Sequence, residues 1–221
     1  MFDLFPLFLS LKVATLATAI CLVLGLGLAW LLARRSFPGR DLVDALSTLP
    51  LVLPPSVLGY YLLVALGRNS LIGRTLESVL GLRLVFTWQG AVVAAAATAF
   101  PLMVQSARAA FENVDAGLEE VARTLGHTEW EVFRTITLPL AWRGILAGIV
   151  LVFARALGDF GTTLMVAGNI PGRTQTLSIA IYDAMQAGDG RRAALLVAVV
   201  SAVATFLLLA ARRLGQQVIS S

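Results

Sequence analysis

Residues 118–139 read LEEVARTLGHTEWEVFRTITLP, with six formal charges in a chain that is 58% hydrophobic and 14% charged. The stretch is punctuated like a bent pair of helices. Phe111, Val114, Leu118, Val121 and Leu125 recur at spacings of three and four, which places them on one stripe of a helix. Glu112, Asp115, Glu119 and Arg123 fall off that stripe. Gly126 follows, where a helix end favours a residue that turns left-handed without steric cost. Thr128 and Glu131 then form the S/T-x-x-E pattern that opens a second helix. Pro139 lacks an amide donor and disfavours helix in the residue before it, so this second helix is expected to end there. A hairpin lying on an anionic leaflet would favour lysine and arginine over these acids. A bent pair with a mixed-charge face suits a socket on another protein.

The surroundings are apolar enough to fix the solvent. A mean hydropathy of +0.84 over 221 residues would leave a soluble fold with large exposed apolar patches. About twenty helical residues cross the roughly 30 Å hydrocarbon core. Five stretches have that length: 10–33, 44–66, 88–110, 143–166 and 193–211. The expected class is an all-α integral membrane protein, one domain over 1–221, with about five transmembrane helices and a loop at 111–142. The start MFDLFPLF has an acid and no basic region, so the first stretch reads as a retained helix and not a cleaved signal. Residues 1–9 are too short to form a further span.

The net charge of +4 does not call for nucleic acid, because arginines flanking membrane helices face lipid headgroups. Arg34, Arg35, Arg40, Arg108, Arg123, Arg134, Arg143, Arg212 and Arg213 fall on one side. Arg68, Arg74, Arg83, Arg173, Arg191 and Arg192 fall on the other. The more basic side is expected inside, which puts 111–142 and the C-terminus in the cytoplasm and the N-terminus outside. Cys21, the one cysteine, can form no intrachain disulfide.

Little here suggests chemistry. There is no G-x-x-x-x-G-K-[ST] phosphate loop, and the one lysine, Lys12, sits at the start of the first span. The one histidine, His127, adjoins the Gly126 bend with no clustered Cys/His pattern around it. No residue is marked as catalytic, metal-ligating or cofactor-binding.

A path through the membrane has its own signals. Thr48-Leu-Pro50-Leu-Val-Leu-Pro54-Pro55-Ser56 places three prolines at membrane depth, and the carbonyls they free must face protein or a water-filled cavity. Pro101 reads equally well as a packed kink. Arg155 and Asp159 are i, i+4 neighbours near mid-membrane, followed by Gly161 and Thr162. Intramembrane charges usually face a substrate route, and an arginine there would attract an anion. For Asp159 a structural ion pair is the better reading. Ala94–Ala97, Gly25 and Gly27 suit close helix packing. The segment 169–177 is either a plain connection or a contact surface for an external solute-binding protein.

Glu120-x-Ala122, Gly126 and Ile136-x-Leu138-Pro139 resemble the EAA loop of ABC-importer permeases, E-A-A-x3-G-x9-I-x-L-P, with Val121 replacing one alanine. Ser36-Phe-Pro-Gly39, Leu49–Pro55, Ala154–Gly161 and Gly168–Thr176 are similar to molybdate permeases, and less closely to sulfate/thiosulfate permeases. Asp159 stands where those relatives usually have glutamate. The resemblance implies the type I ABC importer permease fold and a non-catalytic transport subunit of a bacterial inner membrane. Two copies would form the oxyanion pathway, and two separate ATPase subunits would dock on Glu120, Ala122, Gly126, Ile136, Leu138 and Pro139. A periplasmic molybdate-binding protein would deliver the cargo. Pro50, Pro54, Pro55, Ser56, Arg155, Asp159, Gly161 and Thr162 are the candidate path. Sulfate, thiosulfate and tungstate are alternative cargoes.

Overall fold

The structure, a computed structural model, describes residues 3–217, with side chains described for all of these except Leu80 and 207–217. Every regular element among the described residues is helical. Helix α1 spans Phe5–Arg34, α2 Arg40–Val52, α3 Pro55–Leu66, α4 Leu71–Leu80 and α5 Trp88–Glu112. Helix α6 spans Ala116–Thr124, α7 Glu129–Val132, α8 Leu138–Leu157, α9 Gly161–Ala167, α10 Leu177–Gln186 and α11 Gly190–Gln217.

The centre is a bundle of α1, α5 and α8, held by small side chains that let backbones approach. Ala14, Ala17 and Cys21 of α1 meet Ala91, Ala95, Ala96 and Ala99 of α5 in one buried cluster. The Cys21 thiol donates to the Ala96 carbonyl at 3.4 Å. At Gly25 an added Cβ would lie 2.7 Å from Met103, so only glycine allows this approach; the corresponding space at Gly27 is open. Pro101 is buried inside an unbroken α5, as a packed proline. Lys12 is accommodated by a cation–π contact, its Nζ 3.6 Å from the Trp88 ring centroid.

By length and composition three helices can cross a membrane: Phe5–Arg34, Trp88–Glu112 and the continuous run Glu129–Leu157. The stretch 44–66 is not one straight helix. Helices α2 and α3 meet at 116°, and counting the bent pair as one span makes four. The stretch 143–166 is likewise divided, because α8 stops at Leu157 and α9 starts at Gly161. The fifth stretch, 193–211, lies within α11, and its side chains from 207 onward are outside the described residues.

Two local expectations need correction. The second helix of the loop does not end near Pro139. It continues through a π-helical turn, Phe133–Thr137, into α8, with Pro139 in that helix's first turn. The Leu138 amide bonds back to the Phe133 carbonyl, so the wider turn admits the proline where a tight turn would clash. The apolar stripe is not continuous either. The helix breaks after Glu112, and Asp115 caps a new start by accepting from the Gly117 amide at 2.8 Å. Phe111, before the break, and Val114, within it, are buried, whereas Leu118, Val121 and Leu125 are exposed after it.

Candidate functional site

The elbow at 111–142 closes each of its ends with local bonds. Gly126 sits at φ +90°, left-handed as expected. Its amide bonds to the Arg123 carbonyl and the His127 amide to the Ala122 carbonyl, a Schellman closure of α6. The Thr128 hydroxyl accepts from the Glu131 amide while the Glu131 carboxylate accepts from the Thr128 amide at 2.7 Å, a complete capping box. Arg123 of α6 donates to Glu129 of α7 at 2.8 Å across the bend, and this bond raises the arginine's pKa further. His127 lies on the surface, 3.7 Å from the Glu131 carboxylate.

The two faces of α6 are the reverse of a soluble helix. Leu118, Val121 and Leu125 are 49%, 59% and 75% exposed, and Trp130 of α7 is 67% exposed. Glu120 also faces outward, while Ala122 is buried. The buried polar group is Glu119, 3% exposed. Its carboxylate accepts from Arg34 at 2.8 Å and from the Thr137 hydroxyl at 2.7 Å, with Arg123 at 3.5 Å. Gly126 is exposed, Ile136 and Leu138 are half-buried, and Pro139 is exposed where α8 begins.

The two broken helices, in the stretches expected to cross the membrane, meet each other. Pro54 and Pro55 open α3, and Gly161 opens α9 directly against them. A Cβ on Gly161 would stand 3.1 Å from the Pro55 Cβ. The Thr162 hydroxyl donates to the Pro55 carbonyl at 3.1 Å. Gly59 of α3 packs as tightly on α9, since its Cβ would be 2.7 Å from Met165. Pro50 is half-buried inside α2, while Pro54, Pro55 and Ser56 are exposed on this chain's flank.

Asp159 serves the second break. One carboxylate oxygen accepts from the Thr163 amide at 2.9 Å and its hydroxyl at 2.7 Å. The other takes Arg155 at 3.3 Å. The Asp159 side chain is 1% exposed and that of Arg155 34%, so the arginine is the charge left facing outward. The structure thus joins Pro55, Gly161, Thr162, Asp159 and Arg155 around one crossing, with Pro50 on the neighbouring helix.

The segment 169–177 buries Thr174, Gln175 and Thr176, while Asn169 stays on the surface. Gln175 donates to Asn169 at 2.8 Å and approaches Asp183 at 3.3 Å, and Asn169 donates to Asp183 at 3.0 Å. The Leu177 amide that opens α10 donates to Ser10 of α1, 2.7 Å away. Pro171, Gly172 and Arg173 remain exposed.

Sequence reasoning misses Glu119, Arg34 and Thr137 as one group. A lone glutamate off an apolar stripe reads as solvated. The usable signal is Arg34, a cation ending a long apolar helix, where it also favours the helix dipole.

The chain matches a family described as "Binding-protein-dependent transport system inner membrane component" over residues 22–219. It is 50% identical over 193 residues to the molybdenum transport system permease protein ModB of Escherichia coli (strain K12), covering 87% of this chain and 84% of that one. It is 37% identical over 186 residues to the sulfate transport system permease protein CysT of the same organism, covering 84% and 67%. Its fold is shared with a chain of the MetNI methionine ABC transporter in inward facing conformations, at a TM-score of 0.73 and 17% identity, covering 96% of this chain and 94% of that chain. With an all-helical fold, apolar helices of membrane length and a match across most of its residues, the chain belongs to the family of inner membrane components of binding-protein-dependent transport systems.

Proposed function

We propose that this chain is the permease subunit of an ATP-driven molybdate importer. In this reading 1–221 is one transmembrane domain, and two copies enclose the oxyanion path. Two separate ATPase subunits grip the elbow at 111–142, and a periplasmic binding protein delivers molybdate. The chain itself is non-catalytic, since ATP is hydrolysed by the separate subunit. The N-terminus lies outside and the C-terminus in the cytoplasm, as the arginine distribution favours.

The observation that carries the reading is the elbow. Its two helices are closed by their own caps, yet Leu118, Val121, Leu125 and Trp130 remain uncovered. An exposed apolar group rimmed by charges is the form of a protein contact. Glu120, Ala122, Gly126, Ile136, Leu138 and Pro139 make up or support that contact. Around the crossing, Pro50, Pro54, Pro55, Ser56, Gly161 and Thr162 line the route and Arg155 supplies its positive charge. Asp159 orients Arg155 and caps α9. ATP binding in the partner draws the elbows together, and the path changes access because nucleotide and cargo bind its two states with different affinity. The greater identity to the molybdenum permease than to the sulfate permease supports molybdate as cargo.

The test is uptake of labelled molybdate into proteoliposomes holding the permease, its ATPase and its binding protein, with ATP inside. ATP-dependent uptake that excess sulfate leaves intact is expected. Uptake that sulfate or thiosulfate abolishes would move the chain to the alternative cargo, and uptake without the ATPase would refute the assignment.

A further inference from the structure

We infer that Glu119 is a positioning residue for force transmission: clamped by Arg34 and Thr137, it ties the elbow to the membrane bundle. This rests on the coupling function proposed for the elbow.

Helix α6 has little apolar hold on the rest of the chain. It has nine residues, Ala122 is its one buried hydrophobic residue, and its larger apolar side chains face outward. Its principal backbone neighbours are α7 and the π-helical turn, which belong to the same elbow. The link to the bundle is therefore made largely by polar side chains. The Glu119 carboxylate joins three elements at one oxygen, accepting from Arg34 at the end of α1 and from Thr137 at the entrance to α8. Arg34 adds a second strand to the tie by donating to the Val114 carbonyl at 3.2 Å, where α5 gives way to α6. Helices α1, α5 and α8 form the packed bundle: the carboxylate reaches α1 directly through Arg34 and α8 through Thr137, the residue before it, while Arg34 itself reaches the end of α5.

The tie is also directional. Apolar contacts slide, whereas a buried carboxylate held by a guanidinium and a hydroxyl keeps one geometry while the elbow moves. The Arg34 Nε is buried with no partner, so Glu119 is the anion that holds this guanidinium among the described residues. Replacing Glu119 by glutamine leaves the outer face of α6 unchanged and removes the charge from its inner face. Docking should then survive while transmission weakens.

The experiment uses the full complex in proteoliposomes with molybdate as cargo. It measures three quantities: ATPase retained by the permease, ATP hydrolysed, and molybdate taken up per ATP. Glu119→Gln is expected to retain the ATPase as wild type does and to lower uptake per ATP about tenfold, within the range of coupling between sites. Thr137→Val keeps shape and removes one bond, with an expected loss of about threefold, the size of one hydrogen bond. The exchange Arg34→Glu with Glu119→Arg should recover only part of the wild-type ratio, because it forfeits the bond to the Val114 carbonyl and sets a second arginine beside Arg123. An unchanged uptake per ATP in Glu119→Gln overturns the inference. If that variant does not accumulate, an unchanged ratio in Thr137→Val overturns it. A wild-type permease that fails to retain the ATPase refutes the coupling reading of the elbow itself, a different result from a retained but uncoupled variant.

Discussion

The elbow and the crossing both interrupt helices, and they repair the interruption differently. At the elbow each end finds a partner within a few residues: Gly126 with Arg123, His127 with Ala122, Thr128 with Glu131. At the crossing the local bonds of Asp159 with Thr163 and Arg155 are joined by contacts from distant parts of the chain. The Thr162 hydroxyl reaches the Pro55 carbonyl 107 positions away, and Gly161 lies against the same proline. The elbow can therefore move as a unit without losing its shape. The crossing keeps its shape only while both broken helices remain in register, which suits a route that opens and closes.

That contrast can be broken most severely at Gly161. Gly161→Val sets a branched Cβ about 3.1 Å from the Pro55 Cβ, and overpacking of this kind costs about 1–3 kcal/mol. We expect a lower unfolding temperature in detergent together with loss of uptake. A variant that transports normally would mean that the helices are not in register contact. Asp159→Asn comes next. The Thr163 bonds can persist in part, but Arg155 loses its counter-charge. A cost of about 1–3 kcal/mol is expected, as for a group left without its partner. Thermal unfolding checks this, and Arg155→Met in the same background should recover part of the loss if the unpaired charge is responsible.

A cap at the elbow should behave differently. Thr128→Ala removes a helix cap worth about 1 kcal/mol. Its effect is expected in affinity for the ATPase, measured by titrating one subunit against the other, with the permease's unfolding temperature unchanged. The smallest effect lies outside both regions, at Glu77. Hydrogen bonds from Arg83 and then Arg68 hold its carboxyl below the ordinary carboxylate value. A lowered folded-state pKa stabilises above the unfolded carboxylate range, and the contribution disappears as pH falls through the folded value. The hydrogen-exchange protection factor across 77–83, with the intrinsic pH dependence of amide exchange divided out, should therefore fall in acid and stay level above neutrality.

The same contrast separates what is legible in the amino-acid sequence from what is not. Gly126, Thr128 and Glu131 are readable because their partners lie within one helical turn. The prolines at 50, 54 and 55 announce a break but not its partner, because Gly161 and Thr162 are far along the chain. Pro139 misleads for a physical reason: a π-helical turn widens the helix enough to carry it through. Leu118, Val121 and Leu125 do share one face, but spacing cannot distinguish a face buried in this chain from one left for a partner. Glu119 is hidden by the same limit, since its burial depends on Arg34, 85 positions earlier.

Pull-down of a separate ATPase by wild-type permease and by Gly126→Pro tests whether the elbow is the surface that the ATPase grips. Proline cannot adopt the φ of +90° found at this position, so the elbow cannot keep its bend. Wild type should retain the ATPase and Gly126→Pro should lose it, with the α1, α5 and α8 bundle still folded. Equal retention by the two proteins would contradict it.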